Sequence, residues 1–262
     1  MRPMPLSQST TRNILLQAMS EDDYAHLQPY FKRIPLPVRL QLHEAGRAID
    51  HVYFPEDGIV SIVAVGLDGK PCEVGLFGRE GMSETATVLG TDHSPHEAYM
   101  QSAGVSGLRL PTIVLNDAFE QSTTLRRHLL RYVQAMMIQL SSSIAAAGQT
   151  IEQRLARWLL MCHDRIDGDE IPITHEFISM MLGVRRPGVT VALEHLEALG
   201  LVAKRRAVIV IVDRQGLRTL TDGGYGFAEK EYERLIGRPL SKRVSGFAAS
   251  ATLTAELKPA HL

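Results

Sequence analysis

The chain has 262 residues, of which 45% are hydrophobic and 22% charged, and a net charge of -1. That balance fits a folded globular protein and excludes both a disordered chain and a simple polybasic nucleic-acid binder. Two cysteines, Cys72 and Cys162, are too few for a disulfide framework or a four-thiolate metal site and fit a reduced compartment.

No apolar signal core follows MRPMPLSQSTTRN, and no apolar run approaches the ~20 residues that span a bilayer, so a cytoplasmic protein is expected. Charge is uneven along the chain. Residues 30–120 hold 7 basic and 12 acidic residues, residues 121–148 three arginines and no acid, and residues 149–220 10 basic against 9 acidic. Any nucleic-acid surface is therefore a local cluster.

Residues 1–13, polar and with two prolines, are expected to be disordered. A short helix over NILLQAM follows, then one over EDDYAHLQPYF with Ser20 as N-cap and acids in its first turn. From about Ile34 to Leu115 the runs HVYF, GIVSIVAVG, CEVGLF, EAYMQSA and VSGLRL alternate with turn signals at Pro55 to Gly58, Asp68-Gly69 and Gly104. Many short strands with regular turns predict a sandwich or a jelly-roll-like barrel.

After Leu115 the strand pattern stops, and Asn116 is placed to cap a short helical turn. Ser122 is placed to cap a long helix reaching about Gly148, on which Leu129, Val133, Met136, Leu140 and Ile144 fall in one stripe. The stripe is either ordinary core or a dimer seam. The seam is preferred, because the helix lies between two compact segments and has to bury its apolar face.

An amphipathic helix (IEQRLARWLLMCHDRI), a polar turn (DGDE) and a short strand (IPI) come next. Thr174 is a good N-cap for HEFISMML, and Gly183 a good left-handed stop. Pro187 then starts a second helix at its first position, where a missing N–H costs nothing. Its expected buried face is Val189, Leu193, Leu196 and Leu199, and Gly200 ends it. Arg185 and Arg186 sit at its front edge, with Thr190, Glu194, His195 and Glu197 on exposed arcs. The acids at 194 and 197 do not help phosphate approach.

Two helices joined by a tight glycine turn, with polar residues at the front of the second, form a helix-turn-helix. An arginine there can hydrogen-bond guanine in bidentate fashion. The following KRRAVIVIV reads as a hairpin wing with Lys204, Arg205 and Arg206 at its tip, placed for phosphates. The chain ends in a helix-like segment, FAEKEYERLIG, which either covers the wing or extends a dimer, and a loose tail after about Arg238.

From Ile14 to about Leu217 the order of these elements, and above all the segment ITHEFISMMLGVRRPGVTVALEHLEALGLV, resembles the Crp/Fnr family of bacterial transcription regulators. The LGVRRPGVT variant is similar to a proteobacterial subgroup. The resemblance implies an α+β chain with an N-terminal β-roll like a cyclic-nucleotide-binding jelly roll (14–121), a dimerisation helix (122–148) and a C-terminal winged helix-turn-helix (149–220), followed by an extension (221–262). It implies a homodimer on a palindromic DNA site, and RNA polymerase as a further partner. Arg186 falls where the family commonly places a base-reading arginine. Thr174 and His175 match the start of the first motif helix, which contacts phosphate. Pro187 and Val191 fall where the family's cyclic-AMP receptor has Glu and Arg, so its DNA preference does not carry over.

The effector cassette of cyclic-nucleotide-binding members runs Gly-Glu-Leu and, about ten residues later, Arg-Ser or Arg-Thr. Here GREGMSETATVLGTDHSPHEA supplies Gly78, Glu80 and Gly81, but the position of the phosphate arginine is taken by His96, several residues late. A histidine is mostly neutral at pH 7 and offers no fixed bidentate cation. Cyclic AMP is thus not expected to be a tight effector, and the effector is unknown.

Other readings are weaker. His93 and His96 in DHSPH are more simply a solvated loop than a metal pair, and HEFIS lacks the second histidine of a zinc-protease helix. The glycines of GLFGREG lack dinucleotide-loop spacing, and the cysteine cluster of iron-sulfur sensors is missing. Cys162 is most simply a small buried hydrophobe. No cofactor is expected. Spacing supports no nucleophile, base and oxyanion arrangement, so an enzyme is not expected. The alternative to a DNA-binding regulator is a small-molecule-binding β-roll whose winged helix contacts protein.

Overall fold

The computed structural model describes residues 6–66, 69 and 71–240. Residues 1–5 of the segment expected to be disordered, Asp68 of the predicted Asp68-Gly69 turn, and the tail beyond Leu240 lie outside these residues.

The N-terminal segment is held rather than loose from Leu6 onward. The Gln8 amide donates to the carbonyls of Leu16 and Met19, and the Tyr24 hydroxyl to that of Leu6. Asn13, fully buried, caps α1 (Ile14–Gln17) by accepting from the Leu16 N–H, and Ser20 caps α2 (Glu21–Leu27) by accepting from Asp23. Strands β1 (Lys32–Leu36), β2 (Gln41–His43), β3 (His51–Pro55), β4 (Ile59–Val65), β5 (Pro71–Phe77), β6 (Glu97–Ser102) and β7 (Gly104–Pro111) form two antiparallel sheets, ordered β1-β7-β3 and β2-β6-β4-β5. Alternation puts Val52, Phe54, Leu108 and Leu110 of one sheet and Val60, Phe77 and Met100 of the other into a shared core.

Helix α3 (Thr112–Gln121) starts directly after Pro111, so Asn116 lies within it and does not cap it as expected. Ser122 does cap α4 (Thr123–Ala145), accepting from the Leu125 N–H. This helix of 23 residues, ~35 Å long, ends three residues short of the expected Gly148, which closes a 3-10 turn.

The predicted seam on α4 is largely core. Leu129, Val133 and Met136 are buried within the chain's own first hydrophobic cluster, and Leu140 packs over Gly75 of β5. The stripe is covered by the chain's own core, from β5 and from the elements packed along α4. Ile144, the last residue of the predicted stripe, is exposed, and so are Leu130 and Met137, one position on from Leu129 and Met136; the three exposed residues lie seven apart, with Gln134 and Ser141 between them.

Helix α5 (Ile151–His163) opens with a reciprocal capping box between Thr150 and Gln153. It carries the second core, against which β8 (Glu170–Pro172), α6 (His175–Leu182), α7 (Arg186–Ala198), β9 (Val202–Arg205) and β10 (Val208–Ile211) assemble, the strands in the order β8-β10-β9. Two helices follow. The first, α8 (Arg214–Leu220), is capped by Asp213 and has no counterpart among the elements expected from sequence. The expected tail helix is α9 (Phe227–Ile236), and it neither covers the wing nor stands free: it returns to α4, burying Tyr232 and Ile236 in the first core. Among the described residues no helix is long and apolar enough to cross a membrane.

Candidate nucleic-acid interface

Thr174 takes an extended conformation and its side chain accepts from the Phe177 N–H at 3.3 Å, which starts α6. Gly183, at φ +62°, stops it; a side chain there would pay the left-handed penalty. The Ser179 hydroxyl donates to the Val184 carbonyl at 2.5 Å and tightens the turn. Arg185 is the extended N-cap of α7, Arg186 its first residue and Pro187 its second, one position later than expected.

Val189, Ala192, Leu193 and Leu196 are fully buried against the second core. Leu199, expected with them, is 53% exposed: it lies at the C-cap, and Gly200 at φ +71° turns the chain so that Leu201 is buried instead. Thr190 faces back across the motif, its hydroxyl 3.3 Å from His175 Nδ1 and donating to the Arg186 carbonyl at 3.2 Å. Thr190 and His175 therefore set the register of α6 on α7. Arg185 and Arg186 point outward, and neither has an ion-pair partner among the described residues.

At the wing, Arg206 and Ala207 form the two-residue turn between β9 and β10, with Ala207 at φ +56° and its carbonyl accepting from the Ile173 N–H. Lys204 pairs with Glu197 of α7 at 2.9 Å, and Arg205 with Glu170 of β8 at 2.5 Å. The Lys204 contacts hold the Glu197 carboxyl below its ordinary range. Glu197, expected only to hinder phosphate approach, thus ties the wing to α7. Arg206 is exposed and has no partner among the described residues.

The residues expected at the effector site are brought together only in part. Gly78, Glu80 and Gly81 follow β5, and Glu80 is buried. One Glu80 oxygen accepts from the Gly78 N–H at 3.0 Å; the other takes Arg165 Nε at 2.8 Å and Nη2 at 2.7 Å. A Cβ at Gly81 would collide with the Tyr132 hydroxyl, which donates to the Met82 carbonyl. The side chain of Tyr132 thus fills the space beside the cassette. His96 lies at the other end of the cassette, before β6. It shares no hydrogen bond with Glu80, and its buried Nδ1 has no partner among the described residues.

No group of three metal-ligating side chains is assembled among the described residues, and His93 pairs instead with Asp92 at 2.6 Å. Burial pushes the Cys162 thiol well above its ordinary range, which makes it a poor nucleophile. Sequence reasoning missed Arg165 and Tyr132, whose partners are far off in the chain and carry no spacing signal.

Residues 153–220 match the model of the Crp-like helix-turn-helix domain. No curated protein matches the chain in sequence. Among solved structures it is similar to a CRP-family transcriptional regulator from Thermus thermophilus, with a TM-score of 0.60 and 18% identity, covering 73% of this chain and 97% of that one. FixK2 from Bradyrhizobium japonicum aligns with a TM-score of 0.61 and 18% identity over 72% and 96% of the two chains. A CooA mutant from Carboxydothermus hydrogenoformans aligns with a TM-score of 0.57 and 14% identity over 81% and 96%. The chain therefore carries a Crp-like helix-turn-helix domain within the fold of the Crp/Fnr transcriptional regulators.

Proposed function

We propose that the protein is a sequence-specific DNA-binding regulator that acts as a homodimer on a palindromic site. The observation that carries this reading is the free pair Arg185 and Arg186 on the first turn of α7. Guanidinium groups without internal partners, held at a helix front whose other face is fully buried, suit the edges of guanine in a major groove. Thr174 and His175 at the start of α6, with Arg206 at the wing tip, supply phosphate contacts on either side; Lys204 and Arg205 must first exchange their carboxylate partners. Leu130, Met137 and Ile144 of α4 form the dimer seam, which sets two recognition helices ~34–36 Å apart. RNA polymerase is the further partner.

Cyclic AMP is not the effector in this reading, because the one cassette carboxylate is already occupied by Arg165 and Gly78. Selection of bound duplexes from a random pool by the purified protein tests the function. Recovery of a palindromic motif whose binding weakens steeply with salt supports it; no enrichment at any salt concentration, with protein capture through the same domain, overturns it.

A further inference from the structure

The chain crosses between its two cores twice. It first passes from α4 to α5 through residues 146–150, and returns from α8 to α9 through residues 221–226. The two crossings are joined side by side. The Gln149 amide donates to the Thr221 carbonyl at 2.9 Å, and Arg157 Nε to that of Gly224 at 2.8 Å. At the end of α5, Asp164 accepts from Arg214 at 2.6 Å and from the Tyr225 hydroxyl at 2.5 Å. Bending at one crossing therefore breaks bonds at the other.

Beyond the second crossing α9 lies along α4, burying Ala228, Glu229, Tyr232 and Ile236. The Tyr232 hydroxyl donates to the Glu80 carbonyl at 2.6 Å, while the side chain of Glu80 holds Arg165. The cassette is thus gripped from α9 through its backbone and, through its carboxylate, from Arg165 just beyond the end of α5. Between Tyr132, Tyr232, Glu80 and Arg165 there remains a cavity of only ≈10 Å³, room for at most about one water.

We infer that α9 is an internal strap that takes the place of a soluble effector, fixing the cassette, α4 and the winged helix in a single arrangement. The inference rests on the winged helix being the DNA reader. A ligand shifts a conformational equilibrium only through its difference in affinity for the two states; here the segment that makes that difference is covalently attached and always present. The arrangement that reads DNA is then set by the fold, and hinge motion between the cores requires α9 to lift from α4.

The test is amide hydrogen exchange on the full chain, with Tyr232→Phe and Tyr232→Ala beside the unaltered protein, together with binding to a selected duplex. Tyr232→Phe keeps the ring and removes one buried hydrogen bond, so it remains folded if Tyr232→Ala does not. Exchange is expected to rise about tenfold in α9, in residues 78–82 and in residues 146–150 alike, with α6 and α7 unchanged and duplex affinity lowered. Added cyclic AMP leaves the exchange of the unaltered protein as it was. A rise confined to α9 overturns the strap, as does slower exchange in the cassette on addition of cyclic AMP. If no duplex is bound by any form, the DNA reading fails, and the exchange pattern still decides whether the strap exists.

Discussion

Glu80 and Arg165, 85 residues apart in sequence, meet in an ion pair of 2.7 Å with neither side chain more than 3% exposed. Removing one partner leaves a buried charge alone, so Arg165→Met is expected to cost about 3–5 kcal/mol. The double change Glu80→Leu with Arg165→Met recovers most of that loss, because both charges leave together. Urea unfolding midpoints of the three proteins check it.

Met136 and Met137 are adjacent on α4, yet Met136 is buried in the core and Met137 is 59% exposed. Met137→Glu is expected to shift sedimentation to the monomer, and to weaken duplex binding with the thermal midpoint unchanged. Met136→Glu buries a charge and destabilises by about 3 kcal/mol or more. If both changes act only on stability, the seam lies elsewhere.

Arg186→Ala is expected to relax base preference at one position in each half-site, a loss of about 1–3 kcal/mol of discrimination. Arg206→Ala lowers affinity for all sequences and reduces the salt slope by about one. Lys204→Ala has the smaller effect of the two wing changes, because Glu197 already holds that lysine. Selection and salt titration of each variant separate the three behaviours.

The Glu73 carboxyl is pushed up to about 7, chiefly by burial, and accepts from the indole of Trp158, the only tryptophan in the chain, at 3.1 Å. Its folded pKa lies above the ordinary value of 4.5, so the folded state binds the proton more tightly than the unfolded one. Its stabilisation is fully present below about pH 4.5 and is lost as pH rises through about 7. Tryptophan fluorescence is expected to titrate near pH 7 and to stay flat in Glu73→Gln, whose amide oxygen keeps the indole bond.

The features legible in the sequence are those set by local chemistry. Ser20, Ser122 and Thr174 cap helices wherever the chain places them, and Gly183 and Gly200 stop helices because positive φ suits glycine. The strands from β3 to β7 are visible in their apolar alternation. By contrast, α4 carries apolar residues at both 129 and 130 and at both 136 and 137, so its sequence permits two stripes about 100° apart. Only the neighbours packed on α4, β5 and α9 among them, decide between them. The segment RQGLRTL is too short to show a period, and α9 announces an apolar face without saying what covers it. The Glu80 to Arg165 bond depends on where α5 ends relative to the β-roll, which no spacing encodes.

The exposed stripe on α4, proposed as the dimer seam, is narrow: three apolar side chains with Gln134 and Ser141 between them. Association costs on the order of 4–15 kcal/mol of translational and rotational freedom, so the proposed homodimer, held by so few side chains, is expected to dissociate as the protein is diluted. Occupancy of a site with two half-sites then rises as the square of the protomer concentration. On the proposed reading, in which α9 closes the cassette, the response at a promoter follows the abundance of the protein itself, set by its synthesis and turnover.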